Sequence, residues 1–154
     1  MALAKKILTV TSPVFNYQGY IPTKYCCDGE NVNPPLSIKD IPDGTKSLAL
    51  ILEDPDAENV FDHWIVWDIS PSEIIKENST PGSVGKNSTG KNEYTGPCPP
   101  NGIHRYFFKI YALDAMLKLT EGASKKELRE AMDSHILSSG ELIGLYRKEK
   151  PASK

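Results

Sequence analysis

A chain of 154 residues is the size of a single domain and can bury about 68–70% of its unfolded surface without covalent staples. Its hydrophobic share of 39% and charged share of 25% are those of an ordinary globular domain, and no run approaches the roughly 18 apolar residues of a membrane span. A formal net charge of −2 lacks the basic footprint of a general nucleic-acid binder.

Proline is the outlying count, at 12 residues against an average usage of about 5%. All except Pro151 lie between Pro13 and Pro100. Because proline breaks helices, a helical bundle is excluded over the first two thirds of the chain. Apolar runs between the prolines argue against disorder. The residues after Lys5 and Lys6 reach Pro13 too soon for a secretory leader, which needs an apolar stretch of about 7–15 residues. The cysteines are Cys26, Cys27 and Cys98. An odd count, a vicinal pair and no C-x-x-C motif lead to the expectation of reduced thiols in a cytoplasmic protein.

In chain order, Ile7–Val10 is a short β-branched run and reads as a strand. Residues 11–46 are rich in turn residues and read as an irregular covering segment, since Tyr17, Tyr20, Tyr25, Leu36 and Ile38 call for burial. Residues 47–54 (SLALILED) form a strand apolar on both faces. Residues 63–69 (HWIVWDI) form another. Strict alternation puts His63, Ile65, Trp67 and Ile69 on one side, with Trp64, Val66 and Asp68 on the other. Residues 70–103 are the least regular part, and residues 80–90 within them read as a loop. Residues 104–114 (HRYFFKIYALD) form a long strand, with Tyr106, Phe108, Ile110 and Ala112 sharing a face. Ser124 with Glu127 three residues later is a capping box. It opens a helix to about Ser134 that buries Leu128, Ala131 and Met132. Residues 141–147 (ELIGLYR) close the fold as a strand. With no repeat and no second core, the chain reads as one β-rich domain over 1–154, its core about 7–147 and its tail 148–154.

Three of these strands carry polar groups at one end. Asp54-Pro55-Asp56 marks where the first leaves the core, and proline fixes the turn there. His63 opens the next strand. If the two are antiparallel neighbours, Asp54 and His63 share one end of the sheet. His104 opens the third strand, behind the stiff segment Gly96-Pro97-Cys98-Pro99-Pro100, and Tyr106 lies on its face. A rigid loop loses little entropy on receiving a ligand. Gly85-x-x-x-x-Gly90-Lys91 is not a phosphate-binding P-loop, because Asn92 stands in the Ser/Thr slot. A metal held by His63, His104 and the two aspartates is not required by the spacing, and His135 reads as a capping or packing residue. No nucleophile–base pair stands out, so no catalytic residue is expected.

Taken in order, residues 21–38 (IPTKYCCDGENVNPPLSI), 44–57 (GTKSLALILEDPDA), 63–69, 96–114 (GPCPPNGIHRYFFKIYALD) and 135–148 (HILSSGELIGLYRK) resemble the phosphatidylethanolamine-binding protein family in its short bacterial and archaeal form. The eukaryotic members of that family include the Raf kinase inhibitor proteins. The resemblance spans about residues 7–147. It implies a mostly β fold: a sandwich of a large central antiparallel sheet and a smaller sheet, with one or two short helices. It also implies a small anion pocket made here by Asp54, Asp56, His63, Gly96, Pro100, His104 and Tyr106. The chain departs from the family pattern at Glu58, where proline often follows D-P-D-A, at Asn33 in place of serine, and at Ile38 in place of tryptophan. The flanking C-terminal helix of eukaryotic members is not expected.

The implied function is non-enzymatic binding of phosphate, a phosphomonoester or a phosphoethanolamine-like head group, in a regulatory or ligand-sensing role. The alternatives are a kinase or protease inhibitor acting through its surface and, less favoured, a hydrolase. A kinase or protease partner and a homodimer stay open. No cofactor, resident metal, nucleic acid or stable membrane insertion is expected. Two carboxylates beside a dianion pose an electrostatic problem, solved if each is turned toward a histidine or a backbone N–H, or if one is protonated.

Overall fold

The computed structural model describes residues 7–148; the tail assigned to 148–154 therefore lies almost wholly outside the described residues. The described residues form two antiparallel sheets, one α-helix and a single 3-10 turn at Thr23–Tyr25. The five-stranded sheet runs in the order β6 (Ser83–Val84), β4 (Phe61–Ile69), β3 (Ser47–Asp54), β7 (Ile103–Leu113) and β8 (Ile136–Arg147). The three-stranded sheet runs β1 (Thr9–Thr11), β2 (Leu36–Lys39), β5 (Ile74–Ile75). This is the mostly β sandwich of a large and a small sheet. Among the described residues no helix is long and apolar enough to cross a membrane.

Every residue of the central strand β3 is buried, because both of its faces are covered. Leu48, Leu50 and Leu52 meet Val10, Leu36, Ile38 and Ile75 of the small sheet. Ala49 and Ile51 meet Leu128 and Met132 of the helix α1 (Lys125–Met132). Ser124 Oγ accepts from the Glu127 amide at 3.1 Å and the Glu127 carboxylate accepts from the Ser124 amide at 3.0 Å. The capping box thus holds α1 at its start. The helix stops at Met132, two residues short of the expected Ser134, which is in the left-handed region at φ 67°. Ala131 is half-buried rather than buried.

Strands β2, β5 and β6 fall inside segments read as irregular, because two to four residues with one or two apolar side chains carry no readable period. Strand β8 begins five residues before the expected Glu141. Ser138, Ser139 and Gly140 lack alternation, yet the long partner β7 pairs with all three. The cysteine reading is overturned: Cys27 and Cys98 form a disulfide across 71 positions, and Cys26 alone remains a free, buried thiol. A vicinal pair, an odd count and a missing C-x-x-C say nothing about Cys27 against Cys98, which meet because the fold brings the covering segment onto the Pro-rich loop. With that bond, reduced thiols no longer support a cytoplasmic location.

Candidate functional site

Both neighbours of β3 are antiparallel to it, so the end of β3 meets the starts of β4 and β7. Asp54, His63 and His104 are gathered there by topology alone. Alternation along β4 would nevertheless send His63 to the helix side, with Ile65 and Trp67. A β-bulge prevents this. Leu52 pairs with Trp64 and the next residue, Glu53, with Asp62, so His63 is the extra residue on β4. A bulge re-aims a side chain in this way. The His63 ring stands edge-on to Tyr106, with centroids 5.3 Å apart, on the face that Tyr106 shares with Phe108. A second irregularity, between Val66 and Ile69, puts Asp68 at φ 53°. It turns Ile69 into the core between the sheets with Trp64 and Val66, opposite to the alternation reading. The Asp68 carboxylate meanwhile accepts from the amides of Leu117 and Lys118 at 2.7 and 2.9 Å.

A cavity of about 180 Å³ opens at this end of the sheet, lined by Asp54, His63, Gly96, Pro100, His104 and Tyr106 together with Ala57, Phe61, Thr95, Cys98 and Pro99. The structure thus brings together all the sequence-derived site residues except Asp56. Asp56 points outward, and its carboxylate grips Arg105: Oδ1 lies 2.8 Å from a terminal guanidinium nitrogen and Oδ2 lies 2.9 Å from Nε. The Arg105 amide donates to the same Oδ2 at 2.8 Å. This bidentate hydrogen bonding holds the Asp56 carboxyl below the ordinary carboxylate range. Glu58 is exposed and does not line the cavity.

Each imidazole is fixed through Nδ1. His104 Nδ1 lies 2.6 Å from Asp54 Oδ2, and the other Asp54 oxygen accepts from the Asp56 amide at 2.8 Å. His63 Nδ1 lies 2.6 Å from the Thr95 carbonyl. A carbonyl only accepts, so His63 Nδ1 carries the proton, and Nε2 becomes a donor only in the imidazolium form. The same reasoning applies to His104 against the Asp54 carboxylate. Burial pushes the His63 pKa below its usual 6.5, opposed by the Thr95 carbonyl and the Asp54 charge. The Tyr106 hydroxyl is buried beside the Cys98 backbone. Burial, reinforced by the Asp54 charge, pushes its pKa upward, so it stays a neutral donor. Tyr106 therefore contributes its ring to the cavity wall, while its hydroxyl is itself out of reach of solvent.

The loop that closes the cavity is pinned from several sides. The Thr95 amide donates to the His63 carbonyl at 3.0 Å, the Gly96 amide to Asn31 Oδ1 at 2.7 Å, and the Tyr94 hydroxyl to the Tyr25 carbonyl at 2.7 Å. The Cys27–Cys98 bond adds a covalent tie. Asn87, buried, donates to the Thr95 hydroxyl at 3.1 Å and to the Glu93 carbonyl at 2.7 Å. Sequence reasoning missed Asn87, Thr95 and Phe61. Only the position of Thr95 just before the Gly-Pro segment, and of Phe61 two residues before His63, could have signalled them. Among the described residues, no group of three or more His, Cys, Asp and Glu side chains converges as metal ligands would.

Comparison with known proteins agrees with this architecture. The family model for phosphatidylethanolamine-binding protein matches residues 11–147. A UPF0098 protein of Methanothermobacter thermautotrophicus is 48% identical over 150 residues, covering 92% of this chain and 99% of the relative. A crystal structure of a phosphatidylethanolamine-binding protein homologue from Chlamydia trachomatis is 43% identical, with a TM-score of 0.89, over 93% of this chain and 99% of that one. A crystal structure of YbcL from E. coli, described as a member of the mammalian family, shares the fold with a TM-score of 0.84 at 24% identity, over 94% of this chain and 100% of that one. The chain belongs to the phosphatidylethanolamine-binding protein family.

Proposed function

We propose that this chain is a non-enzymatic binder of a small phosphate-bearing anion, taken up between His63 and His104, and that it serves as a regulatory or ligand-sensing module. The observation that carries the reading is the pair of imidazoles anchored at Nδ1 beside a cavity of about 180 Å³. Their Nε2 atoms, once protonated, supply donors for phosphate oxygens. The volume falls below the roughly 300–1,000 Å³ of pockets that engulf drug-sized molecules, so it suits a phosphate group or a head group rather than acyl chains. The electrostatic problem of two carboxylates has a local answer: Asp54 is committed to His104 and an amide, and Asp56 to Arg105. A non-enzymatic role is supported by the state of the nearest nucleophiles. Cys98 is in a disulfide, and the Thr95 hydroxyl faces Asn87 rather than a base.

The test is an NMR titration with inorganic phosphate and with O-phosphorylethanolamine, following the imidazole signals of His63 and His104. Both sets are expected to shift. His104→Ala is expected to weaken phosphate by about tenfold or more, the value of one lost charge-assisted hydrogen bond. An unchanged affinity in that variant overturns the assignment.

A further inference from the structure

The His63–His104 cavity has little positive charge of its own. Asp54 contributes a carboxylate to its wall, His63 is held toward the neutral form by burial, and Arg105 is consumed by Asp56. Several other cations of the domain are similarly occupied: Lys109 and Arg129 by Glu53, Lys125 by Glu53 and Asp62, and Lys24 by Glu77. Arg147 and Lys148 are exposed and, like several surface lysines elsewhere, have no ion-pair partner among the described residues; their position beside the cavity sets them apart. They line a groove of about 330 Å³ together with Pro99, Pro100, Asn101 and Gly102. Pro99 and Pro100 line the His63–His104 cavity as well, so the two spaces share one wall. Strand pairing sets their spacing: Arg147 pairs with Ile103 and Tyr146 with His104. A planar guanidinium recognises phosphate or carboxylate in a bidentate fork, and the Asn101 side chain adds amide donors.

We propose that the groove of Asn101, Arg147 and Lys148 is a second anion subsite, so that the ligand of this chain is a phosphomonoester carrying a second anionic group on a short linker. This rests on the reading of the His63–His104 cavity as the phosphate site. The phosphate sits between the imidazoles, the linker crosses the Pro99–Pro100 wall, and the second group meets Arg147 and Lys148. The two cations give the second group an attraction that the inner cavity does not offer it, and each proline holds its part of the wall in place without an N–H to desolvate.

The test compares pentyl phosphate with the phosphate monoester of ω-hydroxypentanoate, which adds one terminal carboxylate to a similar chain. The measurement is isothermal calorimetry at low salt, on the wild type and on a double variant, Arg147→Gln with Lys148→Gln. Both side chains are exposed, so the variant is expected to fold, as a native NMR spectrum would verify. The carboxylate-bearing ester is expected to bind the wild type about tenfold more tightly, as a charge-assisted contact provides. The double variant is expected to lose that advantage and keep its affinity for pentyl phosphate. Equal affinity of the two esters for the wild type overturns the second subsite and leaves the phosphate site standing. A preference that survives in the double variant also overturns it. Failure of both esters to bind overturns the phosphate site and this proposal together.

Discussion

Burial lowers the His63 pKa from 6.5 even though the Thr95 carbonyl and the Asp54 charge favour the protonated ring. The sign of the linkage follows from that direction. The unfolded ring takes a proton more readily than the folded one. The stability contributed by the neutral ring is therefore complete above about pH 6.5 and is lost as the pH falls through the lower folded value. Anion binding runs the other way, because Nε2 must be protonated to donate, so binding takes up a proton. Sulfate keeps a fixed charge over this range and separates the protein's titration from the ligand's. Its affinity, measured by NMR titration, is expected to rise as the pH falls from about 7.5 to about 5.5. In His63→Asn the rise is expected to be smaller. A profile flat in the wild type contradicts the donor role of His63.

At the level of elements, the site depends on two devices, the bulge in β4 and the pinned loop 94–100. Alternation was a sound guide to Trp64, Ile65, Val66 and Trp67 and failed at both ends of the strand. A single extra residue at His63, and another between Val66 and Ile69, reverses the faces beyond it. Gly96 shows how closely the loop is packed. A Cβ there would overlap the Tyr25 carbonyl and come within 2.6 Å of Asn31 Oδ1. Gly96→Ala is expected to push the loop away from the covering segment and to cost about 1–3 kcal/mol, as overpacking does. It is also expected to weaken phosphate binding, because the Thr95 carbonyl that orients His63 sits in the same loop. Urea denaturation together with a phosphate titration checks both. A stable protein with unaltered affinity would mean that the loop position does not matter to the site.

Over the whole molecule, the Cys27–Cys98 bond ties the covering segment to the cavity wall across 71 positions of sequence. Such a long loop has a large closure entropy in the unfolded chain. Cys98→Ser is expected to lose about 2–5 kcal/mol of stability. Reduction of the wild type by a dithiol is expected to lower the denaturation midpoint in the same direction. An identical midpoint with and without reductant would show that the bond contributes nothing to the folded state. The expected loss is large beside a total stability of about 5–15 kcal/mol for a native domain, so the covering segment is part of the scaffold rather than a passive flap.

Much of this architecture was readable in the chain. The doubly apolar run at 47–54 announced a central strand, and the Ser124–Glu127 box announced the start of the helix. These features are local: a few consecutive residues carry both the pattern and its cause. The approach of Asp54 to His104 was half-readable, since it needed only antiparallel pairing of neighbouring strands. Other features were decided by tertiary structure. Asp56 turns outward because Arg105 offers it a fork that the cavity does not. His63 faces the cavity because a bulge adds a residue to β4. Cys27 finds Cys98 because the covering segment folds back across the sandwich, where two residues remote in sequence become neighbours. In each case the outcome depends on which partner a group meets across the fold, and that is set only when the sheets close on one another.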